Sequence, residues 1–153
     1  MRIFDTYDRA ILQTLQNDAD ISIEHLSDQI GLSRNATWRR VKRLEEDKVI
    51  RGRVALLNPD SLGLGLVVFI SVRTDQHDAG WADTFTKALR QFPEIVGAYR
   101  TSGDLDYLLH ARVSDVKAYD ALYQRLIAKI DLKDVSASFV MEELKETTAL
   151  PLP

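Results

Sequence analysis

Apolar residues recur at helical spacing through the first fifty positions of the chain and at alternate positions afterwards. Ile11, Leu12 and Leu15 mark one buried stripe of a first helix over Asp8 to Leu15, whose acidic residues stand at its start, where the helix dipole favours them. Ser22 is placed to cap a second, short helix in which Ile23, Leu26 and Ile30 share a face, and Gly31 ends it. Ser33 caps a third. There Thr37, Val41 and Leu44 fall at i, i+4 and i+7 and face the first two helices, leaving Asn35, Ala36, Arg39, Lys42, Arg43 and Glu46 outward. Two helices joined by a tight glycine turn make a helix-turn-helix, whose second helix enters a DNA major groove.

After Val49 the period changes. Ile50, Gly52, Val54 and Leu56 alternate with Arg51, Arg53, Ala55 and Leu57, which predicts a linker strand closed by the turn Asn58-Pro59-Asp60. Two similar units follow from Leu64. The first is a strand (Leu66 to Arg73), a helix with Trp81, Phe85, Leu89 and Phe92 on one face, and a strand (Ile95 to Thr101). The second is a strand (Tyr107 to Val113), a helix capped by Ser114 with Val116, Tyr119, Tyr123, Leu126 and Ile130 inward, and a strand (Val135 to Glu143). The expected fold is therefore α+β, an N-terminal helix-turn-helix (winged-helix-like) domain followed by a C-terminal ferredoxin-like βαββαβ sandwich domain. The boundaries fall at 1–49 for the helices, 50–63 for the linker strand and turn, and 64–153 for the second domain. With both helices on one face of the sheet, Val67, Phe69 and Ser71, and likewise Ser136, Ser138 and Val140, are left open in a monomer, which predicts a homo-oligomer.

Composition narrows the function. A chain of 153 residues that is 45% hydrophobic and 28% charged suits soluble globular domains. The absence of cysteine removes disulfides, zinc ribbons and thiol nucleophiles. The longest apolar run, Leu62 to Val72, is about half a membrane span, and no signal peptide opens the chain, so the expected location is the cytoplasm with no membrane partner. The formal net charge is -3, yet Arg34 to Arg53 holds eight basic residues against three acidic ones, a local positive field on an otherwise acidic protein.

Four segments carry a family resemblance: YDRAILQTLQNDAD (Tyr7 to Asp20), LSRNATWRRVKRLEEDKVI (Leu32 to Ile50), TSGDLDYLL (Thr101 to Leu109) and MEELKETTALPL (Met141 to Leu152). In this order and at these separations they resemble the Lrp/AsnC (leucine-responsive, feast/famine) family of transcriptional regulators over nearly the whole chain. The resemblance implies a DNA-binding N-terminal domain and a C-terminal domain that binds amino acids and assembles dimers into larger even assemblies, such as an octamer. Three departures stand out. Lys48 occupies the place where the family usually has a glycine, which argues against a left-handed exit from the third helix, Thr37 replaces an inward aliphatic residue, and Trp38 is unusually large for its position.

For DNA, Arg39 and Arg43 lie four apart on the outward face and match guanine bidentately, while Asn35 suits adenine. Arg34, Arg40 and Lys42 suit phosphates, and Ser33 and Ala36 stand at the entering end of the helix. Trp38, at the edge of the buried stripe, either packs on the first helices, the preferred reading, or touches a thymine methyl. The bland alternative is a solvated face whose ion pairs are supplied by Glu45, Glu46 and Asp47.

For an effector, Thr101 to Asp106 is a turn in which Gly103 lets a ligand approach backbone N–H groups, or else an ordinary hairpin turn. The family's Gly-x-x-Asp loop implies Asp106 as partner of an amino acid's ammonium and the turn around Gly103 and Asp104 as cradle for its carboxylate, with Thr101, Ser136 and Ser138 assisting. Leucine, methionine and cysteine are the candidate effectors. His25, His77 and His110 show no metal-ligand spacing, and no nucleophile with a plausible base is recognisable, so neither a metal, a cofactor nor an enzymatic reaction is expected. The rival reading is a stand-alone amino-acid sensor acting through protein contacts.

Overall fold

Asp5, Ser22 and Ser33 each accept a hydrogen bond from the backbone N–H three residues on, and so open α1 (Thr6–Asn17), α2 (Ile23–Ile30) and α3 (Arg34–Glu46). These helices belong to a computed structural model that describes residues 4–76 and 78–153; His77 lies outside the described residues. α2 ends at Gly31 in the left-handed region, as its sequence predicts. α3 does so as well, against expectation. Lys48 takes φ 59°, its N–H reaching Glu45 O at 3.0 Å while Val49 N–H reaches Leu44 O at 2.9 Å. This paired closure, with Val49 and Ile50 packed on the helical core, holds a lysine where glycine would sit more easily.

That core consists of Ile11, Leu12, Leu15, Leu26, Val41 and Leu44, with Thr37 fully buried among the inward residues of α3. The predicted strand after α3 is absent. Residues 51–58 carry no strand, and Val54, Leu56 and Leu57 are exposed, because alternation makes a strand only where another strand is there to pair.

The chain divides into two units, Met1–Leu56 with Lys145–Pro153, and Leu57–Leu144. The tail thus groups with the helices and not, as the sequence boundaries place it, with the sheet. Gln16 holds Leu150 by a reciprocal pair of hydrogen bonds, Nε2 to the carbonyl at 3.2 Å and backbone N–H to Oε1 at 3.0 Å, and Leu152 packs on the helical core.

The second unit runs β1 (Leu66–Arg73), α4 (Ala79–Leu89), β2 (Ile95–Arg100), β3 (Tyr107–Val113), α5 (Val116–Lys129) and β4 (Asp134–Phe139). Sheet order is β2-β3-β1-β4 with every neighbouring pair antiparallel, the ferredoxin-like arrangement. Val68, Ile70 and Val72 of β1 and Leu109, Ala111 and Val113 of β3 bury against Trp81, Phe85, Phe92, Leu122 and Leu126. Two details of α5 differ from expectation. Asp115, not Ser114, caps it, because the carboxylate reaches Ala118 N–H at 2.8 Å while the Ser114 hydroxyl donates to Asp115. Leu122 lies inward, and Val116, in the first turn, is exposed.

On the other sheet face Phe69 stands between His110 and Ser138, and Ser71 between Leu108 and Ser136. Phe69 stacks on His110 at 5.1 Å and stays exposed, as do Ser136 and Ser138, whereas Ser71 is half-buried and Val67 is buried. Among the described residues no helix is long and apolar enough to cross a membrane.

Candidate nucleic-acid interface and effector loop

At about 100° per residue, Asn35, Arg39, Lys42 and Glu46 fall within about 40° of the direction opposite Thr37. All four are exposed. Ser33 serves as N-cap, Arg34 is exposed in the first turn, and Ala36 is half-buried. Among the described residues Arg34 and Arg39 enter no ion pair. Trp38 is 51% exposed, with the Lys42 ammonium 5.1 Å above its ring. The preferred packing reading for Trp38 is therefore corrected: its position lies about 100° from Thr37, too far round the helix to enter the core.

Arg40 and Arg43 behave differently. Asp8 of α1 is 4% exposed, and its carboxylate accepts from Arg40 Nη1 at 2.8 Å and from Arg43 Nη2 at 2.8 Å on each oxygen. Arg40 also donates to Asp5 at 2.7 Å and lies 5.3 Å over the Tyr7 ring. The Asp8 backbone N–H, then the Arg40 guanidinium, hold the Asp5 carboxyl below its ordinary value, and the bond to Asp5 raises Arg40. The expectation that Arg43 points outward with Arg39 thus needs correcting. Its side chain is half exposed, but its guanidinium is bound to a buried acid on the neighbouring helix. Arg53 similarly pairs with Glu45 at 3.2 Å.

A sequence signal for this cluster exists. Asp8 precedes Ile11 by three and Leu12 by four, so it shares their buried stripe, and a carboxylate on a buried stripe requires charged partners.

The second candidate site joins β2 to β3. Gly103 takes φ 112°. Thr101 closes the turn, its N–H donating to Asp106 O at 2.9 Å and its hydroxyl to Leu105 O at 2.6 Å. Asp106 is half-buried and accepts from Thr74 N–H at 2.9 Å, while Arg73 Nε donates to Asp104 O at 2.9 Å. Thr101, Gly103, Asp104 and Asp106 therefore come together. Ser136 and Ser138 do not join them within one chain: β1 lies between β4 and β3, so the serines stand two strand spacings, about 10 Å, from the strand that follows the loop. A cavity of about 480 Å³ between α4 and β2 lies next to the loop, with Phe85, Leu89, Ile95 and Tyr107 as apolar lining and Arg90 and Arg100 as its cations. The sequence places Phe85 and Leu89 on the inward helix face but signals no cavity there, because the face of an edge strand gives no periodic signal of one.

Known proteins sharing this arrangement are similar from end to end. Residues 4–51 match the family described as winged helix-turn-helix DNA-binding, and residues 67–150 match the Lrp/AsnC ligand binding domain. The glutamate uptake regulatory protein of Zymomonas mobilis is 46% identical over 153 residues, covering 100% of this chain and 93% of that protein. A solved AsnC family transcriptional regulator from Agrobacterium tumefaciens matches with a TM-score of 0.94 at 48% identity over 97% of each chain. A transcriptional regulator of Neisseria meningitidis, solved as an L-Met complex, matches with a TM-score of 0.92 at 34% identity, also over 97% of each chain.

Proposed function

The chain belongs to the Lrp/AsnC family of transcriptional regulators, and from that premise we propose that it binds duplex DNA through the outward face of α3 and responds to a free amino acid at the 101–106 loop. The observation that carries the first half is the exposed set Asn35, Trp38, Arg39 and Lys42 beside a first turn holding Ser33 and Arg34. Arg39 is the guanine reader, Asn35 an adenine reader, and Arg34 and Lys42 the phosphate contacts. Trp38 meets the groove wall from the flank of α3 beside Lys42, about 80° from the outward direction and on the side opposite Arg43.

Paired subunits would place two such helices about 34 Å apart on a near-palindromic site. A second copy over the open sheet face gives the dimer, and even assemblies up to an octamer follow from further contacts; the exposed Phe69 supports this. The protein acts in the cytoplasm and catalyses no reaction of its own, in keeping with a family of regulators.

At the effector loop, Asp106 takes the ligand ammonium and backbone N–H groups around Gly103 take its carboxylate. Among leucine, methionine and cysteine, methionine is favoured by the L-Met complex of the Neisseria meningitidis relative. The effector acts by binding one assembly more tightly than another, because equal affinity shifts no equilibrium.

Fluorescence anisotropy on a duplex selected from a randomised pool tests the DNA half. Affinity is expected to fall steeply with salt, and Arg39→Ala to cost about 1–3 kcal/mol while relaxing preference at one base position. Equal binding to all sequences would contradict it. For the effector half, Asp106→Ala is expected to abolish the thermal shift given by the responsive amino acid and to leave duplex binding intact.

A further inference from the structure

We propose that Asp8 is a positioning residue for DNA recognition: by gripping Arg40 and Arg43 from α1, it fixes how α3 presents Asn35, Arg39 and Lys42, and Arg43 serves that grip instead of touching a base. The inference rests on the DNA-binding reading of α3 and adds to it a residue on another helix.

Three observations carry it. Asp8 lies on the buried stripe of α1 with Ile11, Leu12 and Leu15, where an ionised carboxylate is strongly unfavourable without charged donors. It has three such bonds, all at 2.8 Å. Apolar residues would pack such a stripe at least as well, so what the ion pairs add is direction: Arg43 Nη2 spans both carboxylate oxygens while Arg40 Nη1 holds one of them, and anchors from two positions of α3 on one acid resist rotation of α3 about its own axis.

The second observation is where Arg43 stands. It lies nine residues beyond Arg34, about 13 Å along the axis, whereas a recognition helix reads bases with its N-terminal part. It also sits about 60° off the outward direction, on the flank nearest α1. Third, Arg40 repeats the attachment one turn earlier, bound to both Asp8 and Asp5. Two arginines three apart on α3 and two acids three apart, Asp5 capping α1 and Asp8 within it, form one seam, and rotating α3 by a single position would break all of it.

The experiment compares full-length wild type with Asp8→Asn, Arg43→Lys and the double variant, using a duplex selected by the wild type from a randomised pool and a scrambled duplex of equal length. Melting curves first establish that each variant is folded at the assay temperature. Arg43→Lys keeps the cation but, on a different side chain without the planar guanidinium, loses the placement in which Nη2 spans the carboxylate, so it carries the test if Asp8→Asn does not fold. Each single variant is expected to lower the ratio of selected to scrambled affinity about tenfold, the loss that one mismatched base pair brings. The double variant should fall no further than the worse single one, because both act through one seam. The salt dependence of scrambled-duplex binding should not change. A purely structural role would lower melting temperature and leave the ratio alone, which would overturn the proposal. So would a loss confined to one base position in Arg43→Lys, or Asp8→Asn binding both duplexes more tightly, since either makes Arg43 a direct contact. A wild type that selects nothing from the pool would refute the DNA reading itself, a different failure.

Discussion

Arg39 and Arg43 are four residues apart on one helix and carry the same group, yet Arg39 faces solvent with no ion pair among the described residues while Arg43 is bound to Asp8. Only about 40° of helix rotation separates them. What differs is the neighbour, since the flank of Arg43 meets α1 and its acids, whereas the side of Arg39 is exposed. A count of basic residues therefore overstates the field a partner sees. Of eight between Arg34 and Arg53, Arg40 and Arg43 are compensated by acids from outside that stretch and Arg53 by Glu45 within it. Within α3 the cations that remain, Arg34, Arg39 and Lys42, lie nearer its entering end.

The contrast can be broken most severely at Asp8. Asp8→Ala leaves two guanidinium groups facing a vacated, mostly buried site, and is expected to lower unfolding free energy by about 2–3 kcal/mol in urea denaturation; the partial exposure of both arginines keeps it below a fully buried pair. Arg39→Ala is expected to stay within about 0.5 kcal/mol of wild type in the same assay, and an equal loss at both positions would erase the distinction.

The inward side of the same helix offers a smaller effect of opposite sign. Thr37 Oγ1 is buried with no hydrogen-bond partner among the described residues, so Thr37→Val is expected to stabilise by about 1 kcal/mol. Lys48→Gly, relieving the left-handed lysine at the exit of α3, should add about 0.5 kcal/mol after the flexibility of glycine is counted.

The smallest change is with pH. The folded Asp5 carboxyl titrates below its unfolded value, so its stabilising contribution is complete above about pH 4 and is lost as pH falls through the folded value. Asp5→Asn should accordingly flatten the acid limb of a stability–pH profile, and an unchanged limb would remove Asp5 from the seam.

Local rules made much of this legible in advance. Caps at Ser22 and Ser33, the glycine exit of α2, the inward set Thr37, Val41 and Leu44, and the bounds of β1 and β3 all follow from spacing and residue type. What escaped depended on a neighbour distant in sequence. The strand expected after Ile50 lacks a partner to pair with, and the tail returns to Gln16 across more than a hundred residues. Trp38 looked like core because its type is apolar, though its angle is not. At the effector loop the turn itself was legible from Ser, Gly and Asp, but the separation of Ser136 and Ser138 from it required the strand order.

Trp38 also gives the most direct test of whether α3 enters a groove. The chain has two tryptophans, and Trp81 is buried, so a Trp81→Phe variant reports from Trp38 alone. Acrylamide quenching of that variant should weaken markedly when the selected duplex is added and stay unchanged with a scrambled duplex at a salt concentration that suppresses nonspecific binding. Quenching of Trp38 that is the same with and without the selected duplex, while anisotropy shows the duplex bound, would mean that DNA meets another surface and that the outward face of α3 is not the reader.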